Sequence, residues 1–268
     1  MNINPNWRIL TVGDGDLSFS LSLQRHYAPL QLTATVFDSE TELLEKYNTD
    51  NLLQLKQAGV DVITEFDVTN KNTWQHIHAQ YDVVIFQFPL IPGVKSKQEF
   101  EALKANYGDD FSINTLNRRL LRKFLTHSFT HFLAPKGARL ACISSKDVKP
   151  YIEWNIESQL HVNLGIEFLG SEVFEIGDFP GYRIRNVDRD KHVKNTGARS
   201  YFWSDAPHST LALTPFHLLD EPCCQVCRAG PFVTEQEKTA HDTSKKHARM
   251  MDYNRQWQQY LALEKQMK

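Results

Sequence analysis

Apolar residues follow two alternating rhythms along the first three-quarters of the chain. Arg8-Ile9-Leu10-Thr11-Val12 is a short, nearly unbroken apolar run, the mark of a strand buried on both faces. Gly13-Asp14-Gly15-Asp16 interrupts it, and residues 17–27 then set Leu17, Leu21 and Leu23 among polar residues, which predicts a helix. The cycle repeats. A strand over 32–37 ends at Asp38, and leucines over 41–58 predict a helix or helix pair closed by Gly59. A strand over 60–66 ends at Asp67, a helical stretch lies around 74–78, and a strand over 82–86 runs into Gln87-Phe88-Pro89. Residues 90–113 lack periodicity, the mark of a functional loop. An amphipathic helix follows over 116–133, stopped by Pro135-Lys136-Gly137, then a strand over 138–144 and a helix from about 148 to 160. Five strand–helix rounds predict an α/β fold, a mostly parallel sheet with right-handed crossovers and helices on both faces. Two further β-rich runs, 166–175 and 200–203, have no helix between them and predict an antiparallel hairpin at the sheet edge.

This pattern divides the chain into a sheet domain over 1–206, a linker over 207–222 where prolines gather, and a small unit over 223–268. Composition narrows the class. Of 268 residues, 41% are hydrophobic and 23% charged, as in an ordinary globular protein. The net charge of -2 provides no global field for a polyanion, so any nucleic acid must be held by local patches. The stretch Arg183, Arg185, Arg189, Lys191, Lys194 and Arg199 is one such patch, read as a loop. Arg118-Arg119 and Arg122-Lys123 read as the wet face of their helix. No run approaches the ~20 apolar residues that span a bilayer, and the N-terminus has no secretory pattern. A reducing interior is expected: the cytoplasm, or the nucleolus if the source is eukaryotic.

The turn Gly13-x-Gly15-x-x-Ser18 lies between a strand and a helix, where glycines permit a tight turn and a close approach of ligand to backbone, with Ser18 in place of a third glycine. Asp38, Asp67 and Gln87-Phe88-Pro89 end the next three strands. Ligands of open α/β sheets sit beyond the carboxyl ends of the strands, so these groups converge on one crevice. Two cofactor classes fit, a nicotinamide dinucleotide and S-adenosylmethionine. Asp14 and Asp16 beside the glycines disfavour a pyrophosphate and suit a sulfonium and an ammonium by Coulomb attraction. Asp109, Asp110 and His127 are general-base candidates by residue type alone.

Three of the four cysteines crowd together near the C-terminus, which is a metal-binding distribution rather than a disulfide framework. Cys224-x2-Cys227-x13-His241-x5-His247 has the spacing of a tetrahedral zinc site, with Cys223 as a competing ligand. Pro231-Phe232-Val233 reads as a short returning strand, and Thr234 with Glu237 as a capping box for a helix carrying both histidines. Residues six apart on an ideal helix diverge by about 120°, so a distorted turn must separate the histidines. Fewer than 40 residues do not fold on apolar burial alone, so the metal supplies the folding free energy. Beyond it, Tyr253, Trp257, Tyr260 and Leu261 form a stripe that packs on the main domain.

Several strings occur in order: Leu10–Ser20, Thr35-Val36-Phe37-Asp38-Ser39 with Lys46-Tyr47, Phe86-Gln87-Phe88-Pro89, Pro150-Tyr151-Ile152-Glu153-Trp154-Asn155, and Phe179-Pro180-Gly181-Tyr182. Over residues 8–203 they resemble the Rossmann-like methyltransferases related to the yeast enzyme that methylates N3 of a uridine in 25S ribosomal RNA. The resemblance implies a class I methyltransferase sheet and S-adenosylmethionine binding at Gly13, Asp14, Gly15, Asp16 and Asp38. It also implies methyl transfer to an RNA base, held at the Gln87-Phe88-Pro89 turn. The family typically has Asn-Phe-Pro-His there, where this chain has Gln87-Phe88-Pro89-Leu90. A binding protein that has lost catalysis through this change is the alternative, and a nicotinamide-dependent oxidoreductase a further one. The segment from Cys224 to His247 is similar to matrin-type zinc fingers, which implies zinc and binding of structured RNA; Lys245, Lys246 and Arg249 are the cations placed to meet its backbone, with Glu235, Glu237 and Asp242 diluting their charge.

Overall fold

Residues Arg8–Val12 (β1) alternate between two cores: Ile9 packs with one helical layer and Leu10 and Val12 with the other. The computed structural model describes residues 3–47, 50–91, 98, 101, 111–186, 189–192, 196–207, 211–215 and 222–266. A seven-stranded sheet runs through it in the order β3-β2-β1-β4-β5-β9-β6. Its strands are β1, β2 (Gln31–Thr35), β3 (Asp61–Ile63), β4 (Val83–Gln87), β5 (Leu140–Lys146), β6 (Glu167–Val173) and β9 (Ala198–Ser204). The first five are parallel, and β9 lies antiparallel between β5 and β6. The predicted sheet and its antiparallel edge are therefore present. At the opposite end of the strands, Asp82 accepts from Arg8 Nε at 2.8 Å and from Ala138 N at 3.2 Å, which ties the starts of three strands together.

One face is covered by α1 (Ser18–His26), α2 (Glu40–Lys46) and α3 (Asn51–Gln57), the last two being the expected helix pair. The other is covered by α4 (Ile113–His127), which continues as a π turn over Ser128–Phe132, and by the short α5 (Ile156–Gln159). Several expectations are corrected. The third strand is three residues long, because the chain turns away at Glu65, which has a φ of 55°. The stretch around 74–78 is a 3-10 turn at Lys71–Thr73 followed by loop. Within 183–199 lies a two-stranded ribbon, β7 (Arg185–Asn186) with β8 (Arg189–His192), rather than a loop. Part of the linker pairs with the sheet edge, since Thr214 and Ser171 exchange both backbone hydrogen bonds, at 2.8 and 2.9 Å.

The C-terminal unit carries α6 (Glu235–Asp242) and α7 (Lys245–Gln266). Its stripe does pack on the main domain: Trp257 and Tyr260 are buried in the core beside α4. That contact overturns the expected wet face of α4. Arg118 is fully buried, donates to the Glu153 carbonyl at 2.7 Å and lies over the Trp257 ring. Arg122 pairs with Glu264 of α7 at 2.7 Å.

Candidate functional site

The carboxyl ends of β1 to β4 open into a crevice of about 270 Å³. Its floor is the glycine turn. Gly13 has a φ of 60°, and a Cβ there would stand 2.7 Å from the Phe86 ring, so both backbone and space require glycine. The turn is fastened to β2 by Asp14 N donating to the Thr35 carbonyl at 2.9 Å. Asp14, Gly15, Asp16, Asp38, Asp67, Gln87, Phe88 and Pro89 all line the crevice. Ser18 does not: its hydroxyl accepts from Arg183 N at 3.1 Å and so holds the segment after Tyr182 against the turn.

The acidic groups are engaged more fully than their sequence positions suggest. Asp14 Oδ2 accepts from Ser20 N at 2.7 Å and Ser20 Oγ at 2.6 Å, capping the start of α1. Burial pushes the Asp14 carboxyl up to about 7, against the Ser20 hydrogen bond and with help from Asp16. Asp16 Oδ2 meets Arg185 Nε at 2.6 Å. Asp38 is paired with Lys46 at 3.0 Å. Asp67 accepts from Thr69 N and Oγ1, both at 2.8 Å. Asp16 and Asp38 are thus matched by cations, while Asp14 and Asp67 are held by hydroxyl and backbone donors.

Gln87 is the exception. It is buried, and neither its Nε2 nor its Oε1 has a hydrogen-bond partner among the described residues. A buried amide without partners costs about 1–3 kcal/mol per polar group, a cost that a hydrogen-bonding ligand removes. Phe88 beside it has a φ of 49°, an uncommon conformation for a bulky residue, and its N–H donates to the Ser144 carbonyl at 2.9 Å. This bend turns Pro89, Leu90 and Ile91 into the wall facing Leu116, Arg119 and Leu120 of α4. Sequence reasoning missed Arg119, Lys46, Tyr182 and Arg185 as crevice residues. Lys46 and Tyr182 lie within the recognised strings and Arg185 three residues beyond one, whereas nothing local signalled Arg119. His127 lies elsewhere, its ring 4.9 Å from that of Trp74 and outside the crevice lining. Asp109 and Asp110 lie outside the described residues.

This crevice belongs to a chain whose residues 10–186 match the family model BMT5-like, rRNA (uridine-N3-)-methyltransferase. The chain belongs to this family. It is a methyltransferase with an RNA substrate, and the oxidoreductase reading falls away. An uncharacterized protein of Arabidopsis thaliana is 31% identical over 196 residues, 68% of this chain and 87% of that protein. A heavy metal-associated isoprenylated plant protein of the same organism is 28% identical over 189 residues. That match covers 69% of this chain and 34% of the relative. Among solved structures, a putative SAM-dependent methyltransferase from Streptococcus mutans aligns with a TM-score of 0.41 and 15% identity. It covers 74% of this chain and 44% of that one. A putative RNA methyltransferase from Pyrococcus horikoshii aligns with a TM-score of 0.40 and 16% identity, over 74% of each chain.

Outside the matched segment, the ligand atoms of Cys224, Cys227, His241 and His247 lie within 4.8 Å of one another. His247 Nδ1 is 3.6 Å from Cys224 Sγ, 3.4 Å from Cys227 Sγ and 3.1 Å from His241 Nε2. A tetrahedral zinc with ordinary Zn–S and Zn–N bonds has edges of about 3.3–3.8 Å, so the donor set fits. Cys223 packs against Gly230 instead. The capping box of Thr234 and Glu237 is present, and α6 ends at Asp242 before α7 begins, giving the break needed between the histidines. The expected returning strand over 231–233 does not form: a single bridge pairs Cys224 with Ala229, and the Phe232 ring lies 4.9 Å from that of His241 at a tilt of 37°. No helix among the described residues is long and apolar enough to cross a membrane.

Proposed function

We propose that this enzyme methylates N3 of a uridine in structured ribosomal RNA, with S-adenosylmethionine held in the crevice above β1 to β4. The single observation that carries the assignment to this crevice is the Gln87 amide, buried with two unused hydrogen-bonding atoms in the wall. The donor supplies an electrophilic methyl group on its sulfonium. The chain's own part is alignment, exclusion of water and recognition of an unpaired base. Gly13 and Gly15 leave room for close approach, and Asp38 stands at the end of β2 where a ribose hydroxyl is met. Asp14, Asp16 and Asp67 complete the binding wall. Gln87 presents an amide to the pairing edge of the base, flanked by Phe88 and Pro89.

In the same reading, Cys224, Cys227, His241 and His247 hold one zinc ion, and the finger steadies the RNA beside the crevice. Nucleoside mass spectrometry of rRNA from cells with and without the gene tests the activity. The expected result is 3-methyluridine present at one position and lost in the deletion. Unchanged nucleosides, with the donor bound by the purified protein, overturn it.

A further inference from the structure

S-adenosylmethionine carries a carboxylate as well as its two cationic groups, and a buried carboxylate must be met by a positive or hydrogen-bonding partner. The sequence shows acids at the glycine turn and leaves this requirement unmet. The fold meets it from another element. The chain from Phe179 to Arg185 lies across the turn, fixed by the buried Tyr182 and by the Ser18–Arg183 hydrogen bond of 3.1 Å. At its end Arg185 enters the crevice lining, its Cβ 3.5 Å from where a Cβ on Gly15 would stand. Asp16 Oδ2 takes Arg185 Nε at 2.6 Å, and the guanidinium carbon lies 5.6 Å from the centroid of the Tyr47 ring. An acid on one edge and an aromatic ring on one face fix the plane of the guanidinium, which has five donors.

The other cations of the crevice are placed differently. Lys46 is committed to Asp38 at the end of β2, and Arg119 stands on α4, across from the turn. Arg183 has its backbone in the Ser18 clamp.

We propose that Arg185 is the receptor for the donor's α-carboxylate, and that Asp16 is a positioning residue that orients it. The proposal rests on the reading of the crevice as the S-adenosylmethionine site. The crevice then recognises the amino-acid end of the donor by charge matching, and a lone sulfonium or adenosine moiety is not enough for tight binding.

The test compares S-adenosylmethionine with its decarboxylated form, which lacks only the carboxylate, by calorimetry on the full chain. The wild type is expected to prefer the intact donor by about 10- to 100-fold, the range for a charge-assisted contact. Arg185→Gln reduces that preference to near one, chiefly by weakening the intact donor, and Arg185→Lys keeps part of it. Such a residue-by-ligand cycle separates a direct contact from general damage. Equal weakening of both ligands in Arg185→Gln, or a wild type with no preference, overturns the proposal while leaving the donor site in place. A wild-type crevice that binds neither ligand overturns the donor reading as well. If Arg185→Gln does not fold, the wild-type ratio and Arg185→Lys decide alone.

Discussion

Gln87 sets two polar atoms in a wall built otherwise of Phe86, Phe88, Leu90 and Leu116, and leaves both unpaired among the described residues. An apolar residue of similar size removes that desolvation cost. Gln87→Leu is therefore expected to leave the melting temperature unchanged or raise it, while methyl transfer falls by about two orders of magnitude through loss of base alignment. Parallel thermal melts and single-turnover assays check this, and a variant equally active as wild type removes Gln87 from the site. Asp14 provides a second test at this scale. Its carboxyl is raised from 3.8 to about 7, mainly by burial. Between those values the folded state holds more protons than the unfolded one, so this group's contribution to stability declines as pH rises from about 4 to about 7. Asp14→Asn keeps an acceptor for Ser20 and lacks the titration. The stability of the variant relative to wild type should climb across that window in denaturation measured at successive pH values. A constant difference would mean that Asp14 titrates normally.

The elements show which parts of the design a linear pattern carries. Strands β1, β4 and β5 were legible because each contains a short, mainly apolar run, and the order of strand ends sufficed to gather Asp38, Asp67 and Gln87 in one crevice. The β7–β8 ribbon was not legible, since Arg185, Asn186, Arg189, Asp190, Lys191 and His192 offer no alternation of apolar and polar residues. The charged face of α4 misled for a different reason. Arg122 meets Glu264, 142 positions away, and nothing local announces that partner. Both side chains are nearly inaccessible, at 3% and 4% exposure. Burial pushes the Glu264 carboxyl up, but the hydrogen bond and charge of Arg122 outweigh it and leave the group below its ordinary value. Breaking such a pair strands a buried charge, so Arg122→Met should cost about 3–5 kcal/mol in chemical denaturation. Pairing it with Glu264→Leu should recover most of that loss. If the double variant is as unstable as the single one, the ion pair is not what holds α7 to α4.

At the scale of the molecule, α7 joins the C-terminal Cys/His unit to the main domain. It begins at Lys245, two residues before His247, and ends beside Arg122, with Met250, Trp257 and Tyr260 buried along its length. Arg249 pairs with Glu153 at 2.7 Å, and Arg228 with Glu157 at 3.1 Å, so the finger is moored to the chain that follows β5. It has almost no apolar core of its own: α6 buries no residue and Val233 is 85% exposed. In the proposed zinc-bound form, metal–ligand bonds would supply the stability of the loops and of α6, whereas α7 is held by the main domain. Cys224→Ser or chelation should release about one zinc per chain and loosen 222–242 while the seven-stranded sheet persists. Native mass spectrometry and hydrogen exchange, read together, report both effects. Donor affinity should stay within about twofold, because the crevice lies on β1 to β4 and contains no finger residue. Affinity for structured RNA should drop by about tenfold or more, if Lys245 and Lys246 meet phosphates as a folded finger would present them. Global unfolding on zinc loss would mean that the finger nucleates the whole fold. Unchanged RNA affinity would reduce it to a clasp for α7.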